Sequence, residues 1–362
     1  MATFLSYRMY QRGDENQIFE LVKAVWGAKL EIPAKKKWIR GWQWMFVNNP
    51  AGSSIIRLAE HKGKPVAEYP LVMVDMKVGR RLAKAGQLAD TMTHPQYRRQ
   101  GIASTLGREA LAKLKEQNAL LAFGFPTTEV YPLHINSGWI DVCAIQTMIK
   151  PLNLKNTLNE YVSHNGLLIN IFSKLGELSL NTIFRYRKPP IVDGLTISRI
   201  FCFDQRFDDF WDMISKDFNI IVVRNRKYLN WRYVEAPNAK YTIYIAEKHK
   251  KIFGYMVLEN KFHNGLTFGR ILDIIAPLDQ EVIIQCLISK AIEHFEQNEV
   301  DAIYSSIISK RYFQSFLMNG FIPFPRYKMR FIAYKASQQI SNGFLMNHKN
   351  WFIQLGDLPM VY

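Results

Sequence analysis

An internal repeat constrains the fold of this 362-residue chain more than any other feature of its sequence. Residues 44–50 and residues 231–237 both follow the pattern Trp-x-aromatic-Val-x-x-Pro. Counted on from each proline, residues 55–60 and residues 242–247 align at one constant offset, and both are strand-like. A lysine-rich turn and a second strand-like run follow each of them, which is the pattern of a β-hairpin.

Three further matches occur in the same order along the chain. Leu88-Ala-Asp90 matches Ile271-Leu-Asp273, and residues 136–139 match residues 318–321 around a shared glycine. Between these lie two helical patterns that both end in Glu-Gln-Asn and lead into apolar strands. Because five ordered matches are hard to attribute to chance, the sequence predicts two copies of one α/β unit.

The first copy contains a segment that favours anion binding. A strand-like run ends at His94-Pro95, and Arg98-Arg-Gln-Gly-Ile-Ala103 then opens a long helical pattern. A glycine turn at a helix N-terminus presents backbone N–H groups that have no acceptor within the helix, and the helix dipole adds partial positive charge. Arg98 and Arg99 add full charges. A Gly-x-Gly-x-x-Gly dinucleotide motif and a Walker loop are both excluded, since neither spacing is present.

This segment resembles the pyrophosphate loop of the GNAT N-acetyltransferases, which has the pattern Arg/Gln-x-x-Gly-x-Gly/Ala after a strand. The resemblance implies an α/β fold of the α+β type. Since the unit is repeated, we expect two tandem GNAT-like domains with mixed, mostly antiparallel central sheets flanked by helices.

The predicted division of the chain has four parts. Residues 1–150 form a GNAT domain that binds acyl-CoA, 151–192 a helical linker, 193–335 a degenerate GNAT-like domain, and 336–362 a C-terminal tail. The second copy has an acidic loop at Asp279-Gln-Glu281 in place of a phosphate loop, so we expect it to bind no coenzyme A. Residues 351–357 are expected to dock back on the first domain.

The resemblance also implies which residues hold the acyl donor, acetyl-CoA. The strand residues Thr91, Met92 and Thr93 are expected to lie along the pantetheine and the thioester. The pyrophosphate is expected to bind the loop and the start of the helix, through residues Arg98, Arg99, Gln100, Gly101, Ile102, Ala103 and Ser104.

The proton-transfer groups are less closely defined by the sequence. GNAT enzymes often place a tyrosine acid five residues before an aromatic residue, and counting back from Trp139 gives His134 instead. A histidine can donate a proton near neutral pH, and Tyr131, one helical turn away, is the alternative acid. Asp90 is the candidate base and Glu129 its alternative, although a water chain could serve instead.

Composition narrows the class of partner. The net charge of +16 is dispersed and accompanied by no DNA- or RNA-binding motif, so it favours anionic small molecules over nucleic acid. No apolar run is long enough to span a membrane, and no signal peptide is evident. The three separated cysteines predict buried thiols of a reducing compartment, so a cytoplasmic protein is expected. The histidine spacing predicts no metal site, and a monomer or a homodimer is expected.

Together these observations predict an N-acetyltransferase that transfers an acyl group from acetyl-CoA to the amine of a small acceptor such as an amino sugar. Two alternatives stay open. One is a catalytically silent GNAT-like protein that binds acyl-CoA or acts as a scaffold, because position 134 lacks the tyrosine. The other is a transferase that depends on aminoacyl-tRNA, although an intact phosphate loop argues against it.

Overall fold

The computed structural model describes residues 4–28, 31–153, 156–157 and 191–359. Most of the predicted linker at 151–192 and the last three residues of the predicted tail therefore lie outside the described residues. Over the described part, helices cover both faces of one large β-sheet.

The first half of the chain alternates helices and strands as the repeat predicts. Its elements are β1 (Ser6–Met9), α1 (Glu15–Trp26), α2 (Lys35–Phe46), β2 (Ile55–His61), β3 (Lys64–Val78), β4 (Arg81–Leu88), β5 (Met92–Thr93), α3 (Ile102–Glu116), β6 (Leu121–Gly124), α4 (Tyr131–Asn136) and β7 (Ile140–Pro151).

The second half repeats this order and ends in the tail. Its elements are β8 (Thr196–Ile200), α5 (Arg206–Ile214), β9 (Ile220–Val222), α6 (Arg226–Leu229), β10 (Thr242–Lys248), β11 (Lys251–His263), β12 (Leu266–Ile275), α7 (Glu281–Gln297), β13 (Ala302–Ile307), α8 (Lys310–Met318), β14 (Ile322–Lys335), α9 (Asn342–Met346) and β15 (Trp351–Phe352).

The strand order joins the two halves into one sheet, where the sequence predicted one central sheet for each domain. The hydrogen-bonded order runs β1-β2-β3-β4-β6-β14-β7-β13-β12-β11-β10-β8. It is mostly antiparallel, with parallel pairs at β4–β6 and β12–β13. The last strand of each half lies beside the other half, because β14 pairs with β6 and β7 pairs with β13. The order is therefore symmetric about the β14–β7 pair.

The core follows from this layering. On one face of the first half, α1 and α2 pack on the sheet around residues such as Ile18, Trp42 and Val72. On the other face, α3 packs on residues such as Tyr69 and Leu71. These faces alternate along β3 with the period of two that a pleated strand imposes. The second half has its own apolar cluster, built largely from β10, β11, β12 and α7.

The tail contacts both halves, although the sequence predicted docking on the first alone. Strand β15 pairs in parallel with β9 of the second half. Trp351 packs in the α2-side core of the first half, whereas Phe352 packs in the core of the second.

The three cysteines differ in their exposure to solvent. Cys286 is buried and Cys143 half-buried, but Cys202 is exposed, so the expectation of three buried thiols was wrong for that residue.

Within the described residues, no helix has both the length and the apolar character needed to cross a membrane.

Candidate active site

The candidate site begins where β4 and β6 separate. These parallel strands pair at three successive positions, the last being Gln87 with Phe123. The next residues are Leu88 and Gly124, and a Cβ on Gly124 would lie only 2.6 Å from the Leu88 Cβ. Glycine at position 124 is therefore needed for this close approach to the Leu88 side chain. Beyond this point β5 and the segment before α4 diverge, and a cleft opens between them.

The predicted phosphate loop forms one side of the cleft. Pro95–Tyr97 makes a single 3₁₀ turn, and Arg98 Nε donates a hydrogen bond of 3.2 Å to the Thr93 carbonyl, which ties the loop to β5. Gly101 caps α3 with φ of +74°, a conformation that favours glycine. A Cβ there would meet no atom within 4 Å, so the space in front of the loop is open.

The start of α3 faces this open space with its N–H groups. The main-chain N–H of Thr105 makes the first helical bond, to Gly101 O, at 3.0 Å. The N–H groups of Ile102, Ala103 and Ser104 precede it and have no acceptor within the helix. Together with the helix dipole and two arginines, they form a cradle suited to a phosphate group.

The cleft has a volume of about 410 Å³ and brings together nearly all the predicted cofactor residues. Of those ten residues, Gln100 alone does not line it. Three parts of the chain supply its walls: the end of α1, the segment from Thr91 to the start of α3, and the segment that leads into α4 together with Leu133. The lining residues are Val25, Trp26, Thr91, Met92, Thr93, Tyr97, Arg98, Arg99, Gly101, Ile102, Ala103, Ser104, Thr127, Glu129, Val130 and Leu133.

A second groove of about 580 Å³ adjoins the cleft between α3 and α4. The two share Ser104 and Leu133 as lining residues. Arg108 and Lys115 lie on the wall that α3 provides. The open space therefore continues from the phosphate cradle along a surface with positive charge.

The structure does not bring His134 to the cleft. Its side chain is 1% exposed, and its Nδ1 lies 3.3 Å from the Tyr69 hydroxyl on the α3 side of the sheet. The ring also contacts Trp139 edge to face. Burial lowers the pKa of His134 to about 4, so the imidazole is neutral at pH 7. These contacts suit a packed core residue.

Tyr131 does not line the cleft either. Its hydroxyl accepts a hydrogen bond of 3.4 Å from Arg330, whose guanidinium also lies 5.2 Å from the tyrosine ring centroid. Arg330 belongs to β14 and forms an ion pair with Asp141 at 2.8 Å. The choice between Tyr131 and His134 as acid therefore still rests on sequence position. Glu129 does line the cleft.

Asp90 lies beside the cleft, one residue before Thr91, at an irregular point between β4 and β5. Its φ of +36° is uncommon for a residue with a side chain, and such strain is often found at functional sites. Thr91 lines the cleft, and its buried hydroxyl has no hydrogen-bond partner.

Sequence reasoning missed Glu68, which lies next to this point on β3. It is 1% exposed, and neither carboxyl oxygen has a hydrogen-bond partner. Burial, followed by the negative charge of Asp90, raises its pKa well above the usual value. The signal available in the sequence was an acidic residue inside the apolar run that forms β3.

In the second half, the tail fills the corresponding opening. Strands β12 and β13 pair as far as Arg270 with Tyr304. Beyond that pair, the Gln354 side chain bonds to both the N–H and the carbonyl of Ile274, at 2.8 and 2.5 Å. A Cβ on Gly356 would lie 2.9 Å from Leu272 O and nearer still to the Tyr233 hydroxyl. The tail therefore occupies the second opening closely.

Comparisons with known proteins agree with this geometry. A model of the acetyltransferase (GNAT) domain matches residues 6–139, a range that includes the whole phosphate loop. Those residues are a GNAT domain. No curated protein matches the chain by sequence.

Solved structures match the fold of nearly the whole chain. A GCN5-related N-acetyltransferase from Anabaena variabilis is 12% identical with a TM-score of 0.64, covering 92% of this chain and 73% of that one. A probable N-acyltransferase of Enterococcus faecalis is 12% identical with a TM-score of 0.61, covering 93% and 74%. Saccharomyces cerevisiae N-myristoyltransferase with bound myristoyl-CoA is 13% identical with a TM-score of 0.61, covering 92% and 80%. At these identities the likeness concerns the fold, so the GNAT domain supports acyl transfer in general without naming the acyl group or the acceptor.

Proposed function

We propose that this protein is an N-acetyltransferase that moves an acetyl group from acetyl-CoA to the amine of a small acceptor, with amino sugars as one such acceptor. The observation that carries the proposal is the cleft itself. A phosphate cradle at the start of α3 leads directly into the gap between β5 and the segment before α4. In this arrangement the pyrophosphate binds the cradle while the thioester lies against Thr91, Met92 and Thr93.

The remaining walls fit the other parts of the donor. The groove between α3 and α4 offers Arg108 and Lys115 to the nucleotide end of coenzyme A. At the opposite end, Val25, Trp26 and Met92 provide an apolar lining for the acyl group. Main-chain N–H groups of the cleft strand are suited to polarise the thioester carbonyl, which is where negative charge develops during acyl transfer.

A second candidate function is supported by one observation. Neither of the two candidate acids, His134 and Tyr131, lines the cleft in which the leaving thiolate would lie. An acyl-CoA-binding protein without transferase activity would need the cradle and no acid. Release of free coenzyme A from acetyl-CoA in the presence of amines separates the two functions, because a binding protein releases none.

Calorimetric titration with coenzyme A tests the proposed cofactor site. We expect one site per chain, since the tail fills the second opening and only the first half has the loop. Gly101→Glu should abolish binding, because it adds a negative charge at the phosphate position. Gly63→Glu is the matched control: Gly63 has a similar φ of +71° in the β2–β3 turn, and it also faces open space. Two sites per chain, or equal affinity in both variants, would contradict the proposal.

A further inference from the structure

Arg232 is a buried cation that contacts the tail. It lies in a single π-helical turn, Asn230–Val234, and is 3% exposed. Its Nε and Nη2 donate hydrogen bonds to the Gly356 carbonyl at 3.3 and 3.1 Å, and Nη2 also donates to the Leu358 carbonyl at 3.0 Å. The third nitrogen, Nη1, is buried and has no hydrogen-bond partner. The guanidinium is therefore only partly satisfied by the chain.

Arg232 also lacks a counter-charge. Within the described part of the chain, none of the ion pairs includes it. The Asp357 carboxylate in the tail pairs with Arg224 instead, at 2.9 Å. Aromatic rings flank the Arg232 guanidinium, whose Cζ lies 5.8 Å from the Trp44 ring centroid and 5.6 Å from that of Tyr233. Because a buried charge without an ion pair costs free energy, an anionic ligand would stabilise this site.

The repeat indicates that the fold itself does not require a charge at this position. At the offset of the tryptophan motif, Arg232 corresponds to Met45, which is 2% exposed in the core of the first half. Met45 lies in the α-helix α2, whereas Arg232 lies in the π-helical turn. Such turns are frequently found at functional sites. The buried charge is therefore a property of the second half alone.

A small pocket between α2 and the β11–β12 hairpin adjoins Arg232. It has a volume of about 60 Å³, and its walls include Trp44, the residue that Arg232 contacts in the first half. Burial raises the pKa of Tyr241, another wall residue, and the positive charges of Arg232 and Arg270 act against this rise, which places the tyrosine near both guanidinium groups. The other lining residues are Gly41, Ala236, Pro237, Asn238, Ala239, Glu259, Lys261 and Arg270. Arg232 therefore lies behind the wall that Trp44 and Tyr241 form.

The part of the pocket that β11 and β12 provide is charged. Three charged residues stand where the first half has two valines and a glutamine: Glu259, Lys261 and Arg270, at the repeat positions of Val72, Val74 and Gln87. Arg270 Nε donates a hydrogen bond of 2.7 Å to the Glu259 carboxylate and so offsets its charge. Lys261 is exposed at the rim. The pocket therefore has an excess of positive charge, from Lys261 and from Arg232 behind the wall.

We propose that this pocket binds a small monocarboxylate, with the carboxylate turned toward Arg232. Opposite charges attract strongly where a protein wall replaces water. A volume of about 60 Å³ holds roughly four to six water-sized groups, which suits the four non-hydrogen atoms of acetate. Trp44, Pro237 and Ala239 give the body of the ligand an apolar wall. A phosphate dianion is disfavoured, because its second charge would lie near Glu259.

This site is separate from the acyl-CoA cleft. The pocket and the cleft share no lining residue. The inference therefore does not depend on the proposed acyl transfer, and coenzyme A should not compete with the monocarboxylate.

Saturation-transfer NMR with acetate tests the proposal on the native protein, at an ionic strength held constant with sodium chloride. We expect saturation to reach the acetate methyl group. Arg232→Met should lower the affinity for acetate about tenfold or more, because the buried charge is removed. Methionine is the residue that the first half carries at this position. Arg226→Met is the matched control: Arg226 is exposed and paired with Asp208 at 3.4 Å, so this variant should bind acetate as the native protein does.

A second variant keeps the test decisive if thermal melting shows that Arg232→Met does not fold. Lys261→Gln changes an exposed side chain, so that folding is preserved. It should lower the affinity for acetate about two- to fivefold, the usual contribution of an exposed charge.

Three results would overturn the proposal. The first is that acetate does not bind the native protein, or that it binds the Arg232 and Arg226 variants equally. The second is that inorganic phosphate binds this site more tightly than acetate. The third is that coenzyme A displaces acetate, which would place the acetate site in the cleft. If coenzyme A itself does not bind, the proposed function fails and the monocarboxylate site is unaffected.

Discussion

Trp44 and Trp231 stack with ring centroids 4.8 Å apart, and each indole N–H donates a hydrogen bond to the main-chain carbonyl of the other. These are the two tryptophans of the sequence repeat. The reciprocal hydrogen bonds, of 3.0 and 3.3 Å, have the symmetry of the strand order, in which β14 and β7 lie at the centre. The repeat motif therefore forms a contact between the two halves of the chain.

This contact predicts a non-additive effect on stability. Trp44→Phe and Trp231→Phe should each cost about 1–3 kcal/mol, because each leaves a buried carbonyl without its donor. The double variant should cost less than the sum of the two by about 0.5 kcal/mol or more, since both act on one contact. Urea unfolding of the four proteins measures the coupling. Trp42→Phe is the control on the same helix, because the Trp42 indole N–H has no partner to lose. Additive losses would show that the two tryptophans act independently.

The sequence predicted those features that local chemistry determines. The loop at 98–103 requires glycine at the αL position before α3, and Gly101 has that conformation. The order of strands and helices followed from hydrophobic pattern and from the repeat. The phosphate cradle could therefore be predicted from residue types and their spacing, whereas the β5 wall of the cleft was implied by the resemblance to the GNAT family.

The features that were missed depend on contacts distant in sequence. An apolar strand such as β14 has the same pattern whichever half it joins, so the exchange of β7 and β14 left no sequence signal. The direction in which His134 points was equally hidden, since its position in α4 was predicted but not the face that packs on Tyr69. Glu68 was overlooked because the repeat matches it with Tyr255, which is also a polar residue. The difference between the two positions becomes evident only in the structure, where the Tyr255 hydroxyl donates a hydrogen bond to Asp273 and Asp273 pairs with Arg224.

The close fit of the tail in the second opening predicts that one added methyl group destabilises the protein. Gly356→Ala should destabilise the protein by about 1–3 kcal/mol, because its Cβ would meet the Leu272 carbonyl and the buried Tyr233 hydroxyl. Gly343→Ala, in α9 of the same tail, has open space around the new methyl group. It should be stabilising by about 0.5–1 kcal/mol, the usual gain of alanine over glycine in a helix. Chemical denaturation of both variants gives the comparison. Equal effects would mean that the tail does not fill the second opening.

The buried charged cluster beneath the tail predicts a large loss of stability when its arginine is removed. Arg224 bridges Asp273 and Asp357, at 3.1 and 2.9 Å, with all three side chains buried. Arg224→Ala should cost about 3–5 kcal/mol, since it leaves two buried carboxylates without a cation. Arg226→Ala, two residues along the chain, removes an exposed ion pair with Asp208 and should cost under about 1 kcal/mol. Thermal and urea unfolding distinguish these values, and a similar cost for both variants would contradict a role for burial.

His134 predicts a specific dependence of stability on pH. Burial lowers its folded-state pKa to about 4, whereas the unfolded chain has the ordinary value of 6.5. Above pH 6.5 the imidazole is neutral in both states and the pH has no effect through this group. Between 6.5 and 4 the unfolded state binds more protons, so stability falls by up to about 1.4 kcal/mol per pH unit.

His134→Phe should remove this loss, because phenylalanine does not titrate and the repeat places Phe316 at the same position in the second half. Between pH 7.5 and 5 we expect the native protein to lose about 2 kcal/mol more than the variant, measured by urea unfolding at each pH. His263→Phe, an exposed site on β11, should leave the pH dependence of the native protein unchanged.

The turnover of the same His134→Phe variant tests whether His134 is the catalytic acid. If His134→Phe lowers turnover by about 10²- to 10⁴-fold while coenzyme A affinity is retained, then His134 donates the proton to the thiolate. Retained turnover assigns it to the packing of α4.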